Sequence, residues 1–532
     1  MTQKTFRLEG QTGLKILAYS LLLFAAGARS ASAADLDQKI NTLFTPLARV
    51  MDRLVFYKVP LFGTEAPLVV VYLVLAAIFF TIYLGFINIR KLPLAVKITR
   101  GDYADPKSHG EVSHFQALCT AVSGTVGIGN IGGIPIAIAM GGPGAVFWMI
   151  VAGFLGMSTK FAECTLATKF RRQNPDGSVS GGPMYYLEQG FKMRGMPRFG
   201  KGIGMFYAAG IVIACMGIGN MFQSNQAFMQ FLVITGGKES FFADKAWLFG
   251  MVFSLIIFAI IVGGIKSIAR IVDKMVPAMA GLYLVTAVTV VLMNWAYIGD
   301  AIRLIVTTAF SPQAVGGGIF GVMIVGFQRA IFSNEAGIGS AAIAHSAVRT
   351  EEPVTEGFVA LLEPFVDTIV IQTLTALVVV TTMVAVPGFA DSGLQGMQMS
   401  SAAFERHFAF APYLIALAGM LFAVSSALAW SYYGVKGLTY LAGETRRGTL
   451  IFNVVFCVFF ALGAAISLDA IMDISDALVF LVCVPNIVGL FMLSPIVKAE
   501  MAGFLSRLKT GKIRDFRAEA RTGSPDVKLA DR

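Results

Sequence analysis

Apolar runs of roughly 20 residues recur from about residue 67 to about residue 497, each long enough to cross a bilayer core as a helix. Lipid offers no water to satisfy backbone N–H and C=O groups, so spans of this length must be helical. The composition agrees: 56 % of the 532 residues are apolar and 14 % charged, against about 45–50 % and about 25 % in soluble domains. The mean hydropathy is +0.71. A soluble chain with so large a core would need far more surface charge. The expected fold class is an all-α polytopic membrane protein.

Two of these runs break at the same tripeptide. Gly127-Ile128-Gly129-Asn130 and Gly337-Ile338-Gly339-Ser340 each lie near the middle of an apolar run. Glycine weakens a helix and leaves backbone groups that lipid cannot satisfy, so each break is expected to line a protein cavity. Matched Gly-interrupted spans in the two halves of a chain point to a transporter binding site. A third Gly-Ile-Gly-Asn at Gly217–Asn220 shows that position in the halves, not the tripeptide, carries this argument.

Eleven spans are expected, near 67–89, 115–140, 144–168, 203–234, 246–265, 276–297, 317–346, 356–387, 412–435, 450–467 and 476–497. Residues 1–33 read as a signal peptide cleaved near Ala33, with an uncleaved signal anchor as the alternative, and 34–66 as a periplasmic segment. With the mature N-terminus outside, 28 Lys and Arg fall on the cytoplasmic side, 9 of them in the basic tail 498–532, and 8 outside. That bias sets an N-out, C-in orientation in a bacterial inner membrane and accounts for the net charge of +10. One extra helix at 67–89 leaves five spans in 115–297 and five in 317–497. Five is odd, so the second set enters the membrane oppositely oriented, the parity of a 5+5 inverted repeat.

In the first break, Thr125 and Asn130 cluster with glycines at one depth. An unwound stretch there exposes carbonyls to a cation and N–H groups to a carboxylate; the alternative is close helix packing. The second break carries Glu335, with Phe332 as a wall for a small side chain. Glu335 either serves recognition or cation binding, or is a structural carboxylate paired with Arg329 or capping the next half-helix. Glu363 and Asp367, four apart on one span, form either a relay or pairs with Lys160 or interhelical donors; Lys160 and Glu163 read as a structural pair or gate element. The five cysteines sit in apolar runs and the four histidines are scattered, so neither a metal site nor a nucleophile–base pair is expected. No cofactor, nucleic-acid partner or enzymatic activity is expected.

Phe115-Gln116-Ala117-Leu118-Cys119-Thr120-Ala121, Gly141-Gly142-Pro143-Gly144-Ala145-Val146-Phe147-Trp148, Phe332-Ser333-Asn334-Glu335-Ala336-Gly337 and Ala429-Trp430-Ser431-Tyr432-Tyr433-Gly434, together with the first break, resemble the alanine or glycine:cation symporter family. The similarity runs from about residue 60 to 500. It implies the leucine-transporter fold with one extra helix, and sodium-driven uptake of small neutral amino acids, mainly alanine and glycine. It further implies a substrate site at Thr125, Gly127, Gly129, Asn130, Gln223, Phe332 and Ala336, closed by Trp430. Sodium, the co-transported ligand, would sit between carbonyls around Ala121, Val122 and Thr125 and the hydroxyls of Ser425 and Ser426. Serine stands where the family often has threonine. The rival expectations are proton coupling through Glu335, Glu363 and Asp367, and an amino-acid sensor that does not transport.

Overall fold

The computed structural model describes residues 50, 53–61, 64–105, 107–175, 177–311 and 318–521. The expected leader, and most of the segment that follows it, lie outside the described residues.

A short antiparallel hairpin, β1 (Lys58–Leu61) and β2 (Thr64–Pro67), leads into α1 (Leu68–Tyr83). The first broken run follows as α2 (His114–Thr125), a single 3-10 turn at Ile128–Asn130, and α3 (Gly133–Gly141). A capping box starts α2: the Ser113 hydroxyl accepts from the Gln116 N–H, and the Gln116 side chain accepts from the Ser113 N–H. Next come α4 (Gly144–Lys169), α5 (Pro197–Met216), α6 (Phe222–Ile234), α7 (Ala246–Ile261), α8 (Gly264–Met293) and α9 (Trp295–Ala309). The second broken run is α10 (Gly318–Asn334) and α11 (Ser340–His345). It is followed by α12 (Pro353–Ala360), α13 (Thr373–Ala385), α14 (Ala411–Ala442), α15 (Arg446–Gly463) and α16 (Leu468–Lys509).

Among the described residues, seven helical stretches are long and apolar enough to cross a membrane, and α1, α7 and α10 are shorter apolar helices. Three details depart from the sequence reading. The loop expected at 298–316 holds α9, whose Ala301, Ile305 and Ala309 face the core while Trp295 and Ile302 stay exposed. The last helix continues to Lys509, well into the segment expected as a tail. Gly217–Met221, between α5 and α6, widens into one π turn, as does Phe365–Gln372 between α12 and α13. Such turns insert a residue without ending the helix, so an apolar pattern does not reveal them.

The packing is reciprocal. Helix α4 lies against α10 and α12, while the π segment 365–372 reaches the 3-10 turn of the first break. Helix α14 runs through the middle, touching α2, α5, α6 and α8. Each break is therefore enclosed by helices from the other half of the chain, which keeps its irregular backbone away from lipid.

At the end of the molecule where α2 begins and α4 ends, one side chain gathers several loops. The Arg171 guanidinium donates to the carbonyls of His109 (3.0 Å), Ser346 (3.1 Å), Val348 and Thr350 (2.6 Å). A planar fork with five N–H donors serves four acceptors at once, more than the three donors of an ammonium can. Replacing Arg171 by Ala should cost about 2–4 kcal/mol, since charge-assisted bonds are lost and buried carbonyls left unpaired. Arg171→Lys should recover less than half of that, read as the shift in the thermal unfolding midpoint of detergent-purified protein.

Candidate functional site: two broken helices joined by buried polar side chains

Helix α2 ends at Thr125 because Val126 and Gly127 turn to extended backbone. The N–H groups freed there find side chains. Gly127 donates to Asn130 Oδ1 at 3.0 Å and Ile128 to Gln223 Oε1 at 3.1 Å. Gly127 has no room for a side chain: a Cβ would lie 2.6 Å from Ser426 Oγ and 3.1 Å from Gln223 Oε1. The first break, Gln223 and Ser426 thus meet at one point. Thr125, Asn130, Gln223, Phe332 and Trp430 are all buried.

The hydroxyl oxygens around this point differ in their occupation. Thr125 Oγ1 donates to the carbonyls of Ala121 (3.4 Å) and Val122 (3.3 Å), and Ser425 Oγ donates to Phe422 O at 3.0 Å. A hydroxyl that donates backward along its own helix keeps its lone pairs for another ligand. Ser426 Oγ is buried without a hydrogen-bond partner among the described residues. Oxygen-only surroundings of this kind suit a hard cation.

The second break is held differently. Glu335 has φ 58°, and Gly337 and Gly339 have φ 95° and 83°, so the chain passes through left-handed backbone before α11 starts. A side-chain-bearing residue there is strained by roughly 1–2 kcal/mol, and surrounding bonds must hold it. The Glu335 carboxylate accepts from Trp430 Nε1 at 3.1 Å and from the Ser340 hydroxyl. Glu163 Oε1 accepts from Gly337 N–H at 2.9 Å and Asn486 Nδ2 at 2.7 Å; Asn486 also donates to Gly337 O, and Tyr207 OH to Ile338 O. Arg329 does not pair with Glu335. It pairs with Asp476 and stands 5.1 Å over the Phe332 ring.

One carboxylate ties the two breaks together. Asp367 accepts from Asn130 Nδ2 at 2.6 Å, from the Ser333 hydroxyl at 3.2 Å and from Thr368 Oγ1 at 2.8 Å. Asn334 Nδ2 in turn donates to Thr368 Oγ1 at 3.0 Å. The π turn explains why Asp367 and Glu363 part company. Asp367 faces the breaks, whereas Glu363 pairs with Lys160 Nζ at 3.0 Å and with His345 Nε2 at 2.7 Å. The two carboxylates form no direct relay, and Lys160 pairs with Glu363 while Glu163 serves the second break.

The remaining expected residues divide. Phe332 stacks edge-on against Phe222 at 5.3 Å, forming an aromatic wall, and Gly129 lies next to Ser333. Ala336 instead packs on Gly156 of α4, where a Cβ would come within 2.9 Å. Trp430 occupies the gap left by Gly219, the middle of the third Gly-Ile-Gly-Asn, whose own Cβ would fall 1.9 Å from Trp430 Cγ. That motif therefore also matters, as a notch for an indole. Ser333, Thr368 and Asn486 were not singled out from the sequence, and Glu163 only as a partner of Lys160. Buried depth at an apolar helix was their one available signal.

An apolar bundle with two opposed broken helices, closed around buried polar side chains, defines a secondary transporter. Its fold is that of leucine-transporter-type proteins: the structure of MhsT in complex with L-phenylalanine aligns with TM-score 0.53 at 16 % identity, covering 75 % of this chain and 99 % of that one. The family model described as the sodium:alanine symporter family matches residues 53–518. The chain is 38 % identical over 440 residues to the sodium/alanine symporter AgcS of Methanococcus maripaludis, covering 82 % of this chain and 94 % of that one. It is 31 % identical over 449 residues to the probable sodium/glutamine symporter GlnT of Bacillus subtilis, covering 84 % and 90 %. The chain belongs to the sodium:alanine symporter family. It is accordingly a multi-pass, sodium-coupled amino-acid transporter and not an enzyme.

The notch at Gly219 gives a direct test. Gly219→Ala should displace Trp430 from Glu335, costing about 1–3 kcal/mol of stability as overpacking does. Uptake should fall at least tenfold, whereas Gly281→Ala, at an open position, should leave it unchanged. Initial uptake rates and melting temperatures measured side by side check both.

Proposed function

We propose that this transporter carries small neutral amino acids, alanine and glycine foremost, together with sodium, by alternating access. The observation that carries the reading is the convergence of the first break, Gln223 and the orphaned Ser426 hydroxyl on one buried point. Sodium would be held by the carbonyls of Ala121 and Val122, by Thr125, and by the hydroxyls of Ser425 and Ser426. The amino acid would lie beside it, its carboxylate toward the N–H groups at Gly127 and Gly129 and its amine toward carbonyls of the opposing break. Phe332 and Trp430 are the bulky side chains that the resemblance assigns to the pocket, which supports a small substrate. Ala336, turned toward Gly156, would act by spacing α10 and α4 and not by touching substrate.

The reading includes eleven spans, with an extra helix before a 5+5 inverted repeat, and the orientation N-out, C-in that the loop charges favour. Asp367 would transmit coupling, because it is bonded to Asn130 of one break and Ser333 of the other. Ion binding that orders the first break then orders the second through the same carboxylate. Coupling of this kind is worth on the order of 1–3 kcal/mol.

Ser426→Ala should lower the apparent sodium affinity at least tenfold while the protein folds normally, because the hydroxyl it removes has no structural bond to lose. Uptake into proteoliposomes with and without an inward sodium gradient, across alanine, glycine, serine, glutamine and leucine, checks ion and substrate together. Uptake indifferent to the sodium gradient would refute sodium coupling. A preference for glutamine or leucine would refute the small-substrate reading.

A further inference from the structure

A second buried polar system lies apart from the breaks, toward the end of the molecule that carries the Lys- and Arg-rich loops. It runs as an unbroken chain. His114 Nδ1 meets Glu356 Oε1; Glu356 Oε2 meets His345 Nδ1 at 2.5 Å; His345 Nε2 meets Glu363 Oε1 at 2.7 Å; Glu363 Oε2 meets Lys160 Nζ at 3.0 Å. The side chains of Glu356, His345, Glu363 and Lys160 have no solvent exposure, and His114 has 3 %. The chain crosses four elements: α2 through His114, α11 through His345, α4 through Lys160, and the helix from Pro353 through both glutamates. It thus fastens the same-side half of each broken helix to the frame around it.

Hydrogen-bond bookkeeping requires a proton beyond the usual complement. Each of the four contacts joins a nitrogen to a carboxylate oxygen, and each needs one proton between them. Lys160 supplies one, a neutral His114 one, and a neutral His345 one, because a neutral imidazole has a single N–H. The fourth contact demands another proton, held as imidazolium on His345 or as acid on a flanking glutamate. Charge gives the same answer. Lys160 and an imidazolium balance Glu356 and Glu363, whereas removing the proton leaves a net negative charge at zero exposure, which is costly in a membrane interior.

Other ionisable groups face this cluster. Glu163, Cys164 and Glu335 stand near Lys160, and Cys164 Sγ lies within 4.8 Å of the His345 and Glu363 ligand atoms. Tyr433 of α14 faces Glu363 and Glu335, and Tyr186 faces Glu163. Arg171 stands toward Glu356 from the loop side. Glu163 and Glu335 have hydrogen bonds of their own at the second break, and Arg171 is committed to loop carbonyls. None of them supplies the missing proton of the chain.

His114 Nε2 is buried and has no partner among the described residues. A cleft of about 470 Å³, lined by Arg171, Thr350, Glu352 and Arg507, opens at this end, and Thr350 is bonded to Thr355 beside Glu356. We propose that Glu356, His345 and Glu363 form a proton-binding site at the cytoplasmic gate, filled while the gate is closed and emptied to the cytoplasm through His114 when it opens. In that step the His345 Nδ1 proton passes to Glu356, the His114 ring turns its unprotonated Nε2 to Glu356 and takes that proton, and the His114 Nδ1 proton leaves to water. The ring of His114 changes tautomer and nothing is oxidised or reduced. The proton is a lock and not cargo: closing the gate takes it back from the same side.

This inference rests on the transport reading and its orientation, and the test separates the two. Right-side-out membrane vesicles of the full-length protein are buffered inside between pH 6.0 and 8.5, with outside pH, sodium gradient and membrane potential held constant. Initial uptake of radiolabelled L-alanine should rise at least threefold as luminal pH rises, the limit for one proton being about tenfold per pH unit. Changing the outside pH over the same range should leave the rate within twofold. His345→Gln, which can bond both glutamates without titrating, should keep sodium-driven uptake and lose the luminal slope; sodium-dependent alanine binding by the purified variant confirms folding. Should it fail to bind, Glu356→Gln takes its place. A flat wild-type profile, or a folded variant with the wild-type slope, overturns the proton site and leaves symport standing. A wild-type protein with no sodium-driven uptake at any luminal pH overturns both.

Discussion

Everything in this molecule answers one constraint: backbone released from a helix inside a membrane has to find hydrogen-bond partners without water. At the first break Asn130 and Gln223 take the freed N–H groups of Gly127 and Ile128. At the second, Glu163 accepts the Gly337 N–H, while Asn486 and Tyr207 donate to the carbonyls of Gly337 and Ile338. Asn130 apart, the partners come from four other helices, so neither break can exist without the enclosing bundle. Conversely, a bundle built around two such breaks has a polar interior that can accept a charged ligand.

The two breaks are chemically unlike, although their tripeptides match. The first is relaxed, and its glycines make room for Ser426 and Gln223. The second is strained at Glu335 and tethered by carboxylates on both sides. Asp367 joins them from a π turn, a place where an extra residue per turn redirects a side chain. Asn130 of one break and Ser333 of the other therefore share one carboxylate, which suits a mechanism in which ion and amino acid must bind together.

The legible part of the site followed from chemistry that shows in one dimension. Small residues beside Thr125 and Asn130 in an apolar run announced an unwound stretch, and a glutamate in a span announced a buried partner. What stayed hidden were partners supplied from a distance. His114, His345 and Glu356 looked scattered because 231 positions separate the two histidines, yet they share one carboxylate. Glu363 and Asp367 looked paired because a regular helix puts residues four apart on one face, and the π turn between Phe365 and Gln372 undoes that. Gly217–Asn220 looked like a coincidence until Trp430 was found seated against Gly219.

The sequence by itself determined that the chain is a helical membrane protein, where its apolar runs lie, where two of them break, and which family it resembles. Hydrophobic length and glycine content act locally, so they can be read without knowing what packs where. The tertiary structure alone decided which carboxylate serves which break, which serine hydroxyl is left without a partner, and that five ionisable side chains form one buried chain. Those are matters of direction across helix interfaces, and a shift of a single residue in a turn is enough to change them.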